Sequence, residues 1–115
     1  MKEVKAIIQP AKLGRVRDAF RLFRGFPGMS VTKVDCCGPD GTSENPKTIR
    51  QQLADSSTKV RIEIVCADEQ VGRIVEVLLE CNRTGQPNDG MVWVTSVDQS
   101  IKLCDGTSGW GTACD

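Results

Sequence analysis

The sequence predicts an α+β fold: an antiparallel sheet with two helices on one face, in the order strand, helix, strand, strand, helix, strand. Three observations predict it. Apolar residues recur at spacings of three and four in only two segments, around residues 13–23 and 71–79. Four other segments alternate or cluster β-favouring residues. The two halves repeat one strand–helix–strand order, the ferredoxin-like βαββαβ pattern.

Residues 3–9 form the first strand, with Val4, Ala6 and Ile8 alternating with charged or exposed neighbours and Pro10 ending it. Leu13, Val16, Phe20 and Phe23 then place one apolar stripe on a helix, which Gly25, Pro27 and Gly28 stop. Residues 29–37 read as the second strand. In the third, Val60, Ile62, Ile64 and Cys66 face one way and Arg61, Glu63 and Val65 the other. That mixed second face suits burial against copies of the chain better than burial in a monomer core. Asp68 is the expected N-cap of a helix carrying Val71, Ile74, Val75, Leu78 and Leu79. Met91–Val94 make the fourth strand. Residues 39–58 are a loop of about 20 residues, either functional or a floppy insertion. The expected division is a domain over 1–103 and a Gly-rich tail over 104–115.

Composition narrows the function. Lys plus Arg equals Asp plus Glu, 15 each, so the basic excess of a nucleic-acid binder is missing. Arg24-Gly25-Phe26 faintly matches a ribonucleoprotein motif but falls at a helix end, where Phe26 is expected to pack. There is no histidine, which removes the commonest general base and metal ligand. No activated cysteine–base pair or carboxylate pair stands out, and Asn45, Asn82 and Asn88 lack an arginine partner in strand-linked spacing, so a phosphate-handling enzyme is the weaker alternative. No C-x-x-C occurs, and the adjacent Cys36 and Cys37 cannot easily chelate one ion, so no metal site is expected. No apolar run approaches the roughly 20 residues that span a bilayer, and the N-terminus lacks a signal-peptide core; a soluble cytoplasmic protein is expected, with Cys66 and Cys81 as buried thiols.

Four runs together resemble the PII signal-transduction family up to Leu103: Lys5–Pro10 with Lys12-Leu13 and Val16-Arg17; Gly28–Thr32; Lys59–Val65; and Arg83-Thr84-Gly85 with Asn88-Asp89-Gly90. The resemblance implies a homotrimer with sheets packed inward and ATP or ADP in three clefts between subunits. It implies a T-loop at about 39–58, read by a protein target the sequence does not identify, and a phosphate-contacting B-loop at about 83–90. Carried over residue by residue, the nucleotide contacts are Ile7, Gly28, Met29, Ser30, Cys36, Cys37, Gly38, Ile62, Glu63, Val65, Gly85, Gln86, Pro87, Asn88, Asp89, Gly90, Met91 and Lys102. Backbone N–H groups of the 85–90 turn are suited to phosphate, although a plain helix-to-strand turn would use the same glycines.

The departures redirect the reading. The family's B-loop lysine is Met91 here, and its two late arginines are Lys102 and Cys104. Each charge-assisted bond is worth roughly 1.5–3 kcal/mol and each ~1.4 kcal/mol is tenfold, so ADP or AMP is expected to bind in preference to ATP. The arginine and glutamine that open the family's T-loop are Pro39 and Asp40, which undermines the 2-oxoglutarate site, and the modifiable tyrosine has no counterpart because the chain has none. The chain resembles a PII-like branch linked to carboxysomes and inorganic-carbon uptake, which implies bicarbonate as second effector, held near Asp40, Gly41, Arg50 and Lys59. The alternative is a nitrogen regulator binding ATP and 2-oxoglutarate. Cys104 and Cys114 either form a bridge contributing about 2–3 kcal/mol or remain reduced.

Overall fold

A computed structural model describes residues 1–37 and 56–109. Gly38, Asp40, Gly41, Arg50 and Cys114, with most of the 39–58 loop, lie outside them. The elements are β1 (Lys2–Ile8), α1 (Leu13–Arg21), β2 (Ser30–Cys37), β3 (Ser56–Cys66), α2 (Val71–Asn82) and β4 (Gly90–Ser96). One-turn 3-10 segments, Pro10–Lys12 and Asp68–Gln70, lead into the helices. The strands form one antiparallel sheet in the order β2-β3-β1-β4. The ferredoxin-like expectation therefore holds for a single chain.

Alternation decides which face of the sheet the helices cover. Val4, Ala6 and Ile8 from β1 and Val60, Ile62, Ile64 and Cys66 from β3 are buried, and the helices close over them with Val16, Phe20, Ile74, Val77, Leu78 and Cys81. Ile62 and Ile64 are fully excluded from solvent. Phe26 returns from the turn after α1 and stacks on Phe20, centroids 4.2 Å apart, as expected of a packing residue.

Three local expectations change. Asp68 does not cap a helix with its side chain: Ala67 precedes the turn, its N–H donates to Gln70 Oε1, and the Asp68 carboxylate pairs with the Met1 amino group at 3.0 Å. The buried stripe of α2 is Ile74, Val77, Leu78 and Cys81, so Leu79 lies half exposed. Finally, β3 begins at Ser56 and pairs with β2 as far as Cys37, taking the last residues assigned to the loop into the sheet. The long connection therefore springs from two strands that stay in register to its base.

After β4 the chain makes a small hairpin, with a bridge between Ile101 and Ser108 and a bond from Lys102 N–H to Thr107 O at 2.8 Å. The division expected after residue 103 falls inside it. No described helix is long and apolar enough to cross a membrane. Among the described residues no cluster of three or more His, Cys, Asp or Glu could hold a metal ion.

Candidate functional site

The segment between α2 and β4 is where chemistry concentrates. Arg83 leaves the helix in extended conformation while its N–H still bonds Leu79 O at 3.0 Å. Gly85 and Gly90 adopt φ of 85° and 119°, which favour glycine, so the chain doubles back within six residues. Asp89 N–H closes the turn on Gln86 O.

The turn's amides converge on an anion, but it is the protein's own. Asp89 Oδ2 accepts from the backbone N–H of Thr84 at 2.7 Å, Gly85 at 2.9 Å and Gln86 at 3.2 Å, and Asp89 Oδ1 accepts from the Thr84 hydroxyl. The Thr84 hydroxyl bond, then these amides, hold the Asp89 carboxyl below the usual carboxylate range. In the chain by itself the Gly85 and Gln86 amides, expected to face phosphate, are thus engaged by Asp89. Of the expected contacts in the turn, Asn88 and Gly90 are the ones whose N–H groups Asp89 does not take.

Two side chains grip the turn from the sheet. Gln9 Nε2 donates to Asn88 O at 2.7 Å, and Lys59 Nζ reaches the same oxygen at 3.4 Å. Lys59 is 8% exposed. Among the described residues the hydrogen-bond partner of this buried ammonium is a neutral carbonyl, which compensates a charge less fully than an anion would. Lys59, expected among the effector residues, therefore also contacts the 83–90 turn.

Beneath the turn lies a cavity of about 310 Å³ walled by Ala6, Ile8, Leu78 and Val92, with Asn82, Gln86 and Asp89 on its polar side. Ile7, Gly90 and Met91, all expected contacts, also line it. The remaining residues lie elsewhere. Glu63 pairs in register with Ser30, next to Met29, and Val65 is two residues further along β3. Lys59 and Val65, six residues apart on one strand, are separated by roughly 20 Å. Cys36 pairs with Ser57, two register positions from Lys59's partner Val34. Ile62 is buried on the helix side, with its backbone paired to two neighbouring strands. Lys102 and the exposed Cys104 belong to the hairpin, and Gly28, at φ 96°, to the entry of β2. One subunit thus holds two groups of expected residues, not one pocket.

Sequence reading missed Gln9, Thr84 and Asn82. Gln9 stands in a run that carried the resemblance, and Asn82 continues the apolar spacing of Leu78 as a polar residue; either signal marked them.

The family model described as Nitrogen regulatory protein P-II matches residues 1–106. Similar curated proteins include the nitrogen regulatory protein P-II of Cereibacter sphaeroides, 34% identical over 109 residues, covering 95% of this chain and 96% of that one. The nitrogen regulatory protein P-II 2 of Methanothermobacter thermautotrophicus is 37% identical over 110 residues, covering 95% and 94%. That of Pyropia yezoensis is 35% identical over 104 residues, covering 90% and 91%.

Proposed function

The chain belongs to the nitrogen regulatory protein P-II family, and from that premise we propose that it is a cytoplasmic sensor binding ADP or AMP in preference to ATP, with bicarbonate as second effector. Proteins of this family are homotrimeric regulators that bind nucleotides and act on target proteins, not enzymes. In this reading the nucleotide lies between the 83–90 turn of one copy and the Ser30–Glu63 region of another, and the T-loop carries the state of energy and inorganic carbon to its target.

The observation that carries the proposal is the geometry of the turn. Asp89 consumes three amides, which leaves few donors for a polyphosphate. Met91 supplies no cation at the turn's exit, so a third phosphate has little to hold it. Lys59 couples the two ligands in this reading: it is buried, it touches the Asn88 carbonyl, and it lies three register positions from the strands' exit toward the loop. A planar monoanion needs one cation and a few N–H donors, and Lys59 is the cation in this reading.

Calorimetry on the purified protein with AMP, ADP and ATP, each with and without bicarbonate or 2-oxoglutarate, tests this. ADP and AMP are expected to bind roughly tenfold or more tightly than ATP. Bicarbonate is expected to change nucleotide affinity by a factor of about 5–150, with the reciprocal effect on its own binding. ATP favoured over ADP, with 2-oxoglutarate rather than bicarbonate as the coupled ligand, would instead establish a nitrogen regulator of the usual kind.

A further inference from the structure

Charge is spread unevenly over the helical side of the molecule. Acids and bases cancel in the whole chain, yet the stretch from Lys12 to Arg24 holds five cations and one acid, Asp18. Arg15, Arg17, Arg21 and Arg24 are exposed on α1 and the turn after it. Among the described residues only Arg21 of these four meets a carboxylate, that of Asp18 at 3.3 Å. Helix electrostatics accounts for Arg21 and Arg24, which stand at the C-terminal end of α1. It does not account for Lys12 and Arg15. They stand at the N-terminal end, where the helix dipole disfavours cations, and no acid occupies the first turn. A local rule broken without a compensating contact points to function.

By helical spacing Arg15 and Leu22 share one side of α1, two turns apart. Leu22 is 89% exposed. It borders a groove of about 410 Å³ lined by Ala19, Phe23 and Val77, with Arg24, Arg73 and Glu80 as its polar residues. Arg73 is already held by Glu76 at 3.2 Å and Glu80 at 3.8 Å, so the uncompensated charge beside the groove is the positive charge of α1. A single exposed leucine is ordinary, but this one adjoins an apolar groove and a row of arginines.

We propose that this face docks an acidic segment of a partner protein, its carboxylates over Arg15 and Arg24 and one apolar side chain in the groove against Leu22. The proposal does not rest on the nucleotide reading, and its contact surface is separate in sequence from the T-loop. An assembly that buries the helix-free face of the sheet leaves this one outermost. A lipid surface fits less well, because insertion needs a broad apolar face and Leu22 is the one large apolar side chain exposed around α1. Nucleic acid would bring phosphates against Glu76 and Glu80.

The test immobilises the full-length protein and selects binders from a displayed library of random short peptides. The enriched peptides are synthesised and their affinity is measured by fluorescence anisotropy. They are expected to carry an acidic excess around one apolar residue. Their affinity is expected to fall roughly tenfold in Leu22→Glu and in Arg15→Glu, and to survive Arg15→Lys. Arg15→Glu is expected at the same time to keep or raise Tm, since it puts an acid where the helix dipole favours one. A purely structural Arg15 predicts the reverse, a lower Tm with unchanged binding. No enrichment over a blank support, enriched peptides without an acidic excess, or affinity unchanged in either Glu variant overturns the proposal. So does co-sedimentation with phosphatidylserine vesicles that Leu22→Glu abolishes, which assigns the face to lipid. A mass that doubles with concentration and reverts in Leu22→Glu overturns it too, in favour of a second copy.

Discussion

At the scale of single residues, Asp89 is the one that organises the 83–90 turn. It is half-buried, and its carboxylate organises Thr84, Gly85 and Gln86 into one turn. The bonds are made to the charged form, so the folded turn holds its pKa below the ordinary value. A depressed carboxyl contributes order above the usual carboxylate range and loses it as pH falls through the depressed value. The protection of the Thr84, Gly85 and Gln86 amides, taken relative to the intrinsic exchange rate at each pH, is therefore expected to fall several-fold on acidification into that range. In Asp89→Asn those amides are expected to exchange several-fold faster at neutral pH and to show no acid transition. Unchanged exchange in the variant would mean that the glycines alone hold the turn.

At the scale of elements, the entry of β4 is the least forgiving place in the sheet. Gly90 has φ of 119°, and a Cβ there would collide with the Ile7 carbonyl oxygen of the neighbouring strand. Gly90→Ala is expected to cost of order 1–3 kcal/mol from the backbone alone. In a domain near 100 residues that is a fall in Tm of roughly 5–20 °C. Gly14 in α1 has open space around it, so Gly14→Ala is the control, expected to raise stability by about 0.5–1 kcal/mol. Thermal melts of the two variants check the contrast. The elements themselves were legible because their patterns are physical: Val60, Ile62, Ile64 and Cys66 alternate, and Leu13, Val16, Phe20 and Phe23 recur at helical spacing. The helix phase was harder to read in α2, where Val75 and Leu79 compete with Val77 and Cys81 for one apolar stripe, and only packing against the sheet settles the rotation. Asp68 misled for a similar reason: a good capping residue one position past the cap finds another cation instead. The site was legible as a segment and not as a geometry, since nothing in the spelling of Thr84-Gly85-Gln86 says that Asp89 will take its amides.

At the scale of the whole molecule, the question is what covers the sheet's other face. The register puts Glu3, Lys5 and Ile7 of β1 beside Arg61, Glu63 and Val65 of β3 and Met91, Trp93 and Thr95 of β4 on the side without helices. Trp93 and Val65 are half-buried in a lone chain. The charges there meet in pairs, Lys5 with Glu3 at 3.4 Å and Arg61 Nε with Glu63 at 3.0 Å. Arg61 Nε is buried and, despite that short distance, makes no hydrogen bond of good geometry. A face with apolar residues between incompletely satisfied charges is stable in water only at a cost that a second copy's surface removes. Sedimentation equilibrium is therefore expected to give three times the chain mass of 12.5 kDa. Trp93→Glu places a carboxylate in that interface and removes the largest apolar side chain on the face; one unpaired buried charge outweighs the gain from the remaining contacts. The variant is expected to sediment as a folded monomer by circular dichroism, with a lower Tm and no thermal response to ADP. Leu22→Glu, at a side chain 89% exposed beyond the end of α1, changes charge equally and is expected to leave the assembly intact. A wild-type monomer at micromolar concentration, or a Trp93→Glu protein that keeps its mass and its response to ADP, would show that this face meets solvent and that a nucleotide site shared between copies has no basis.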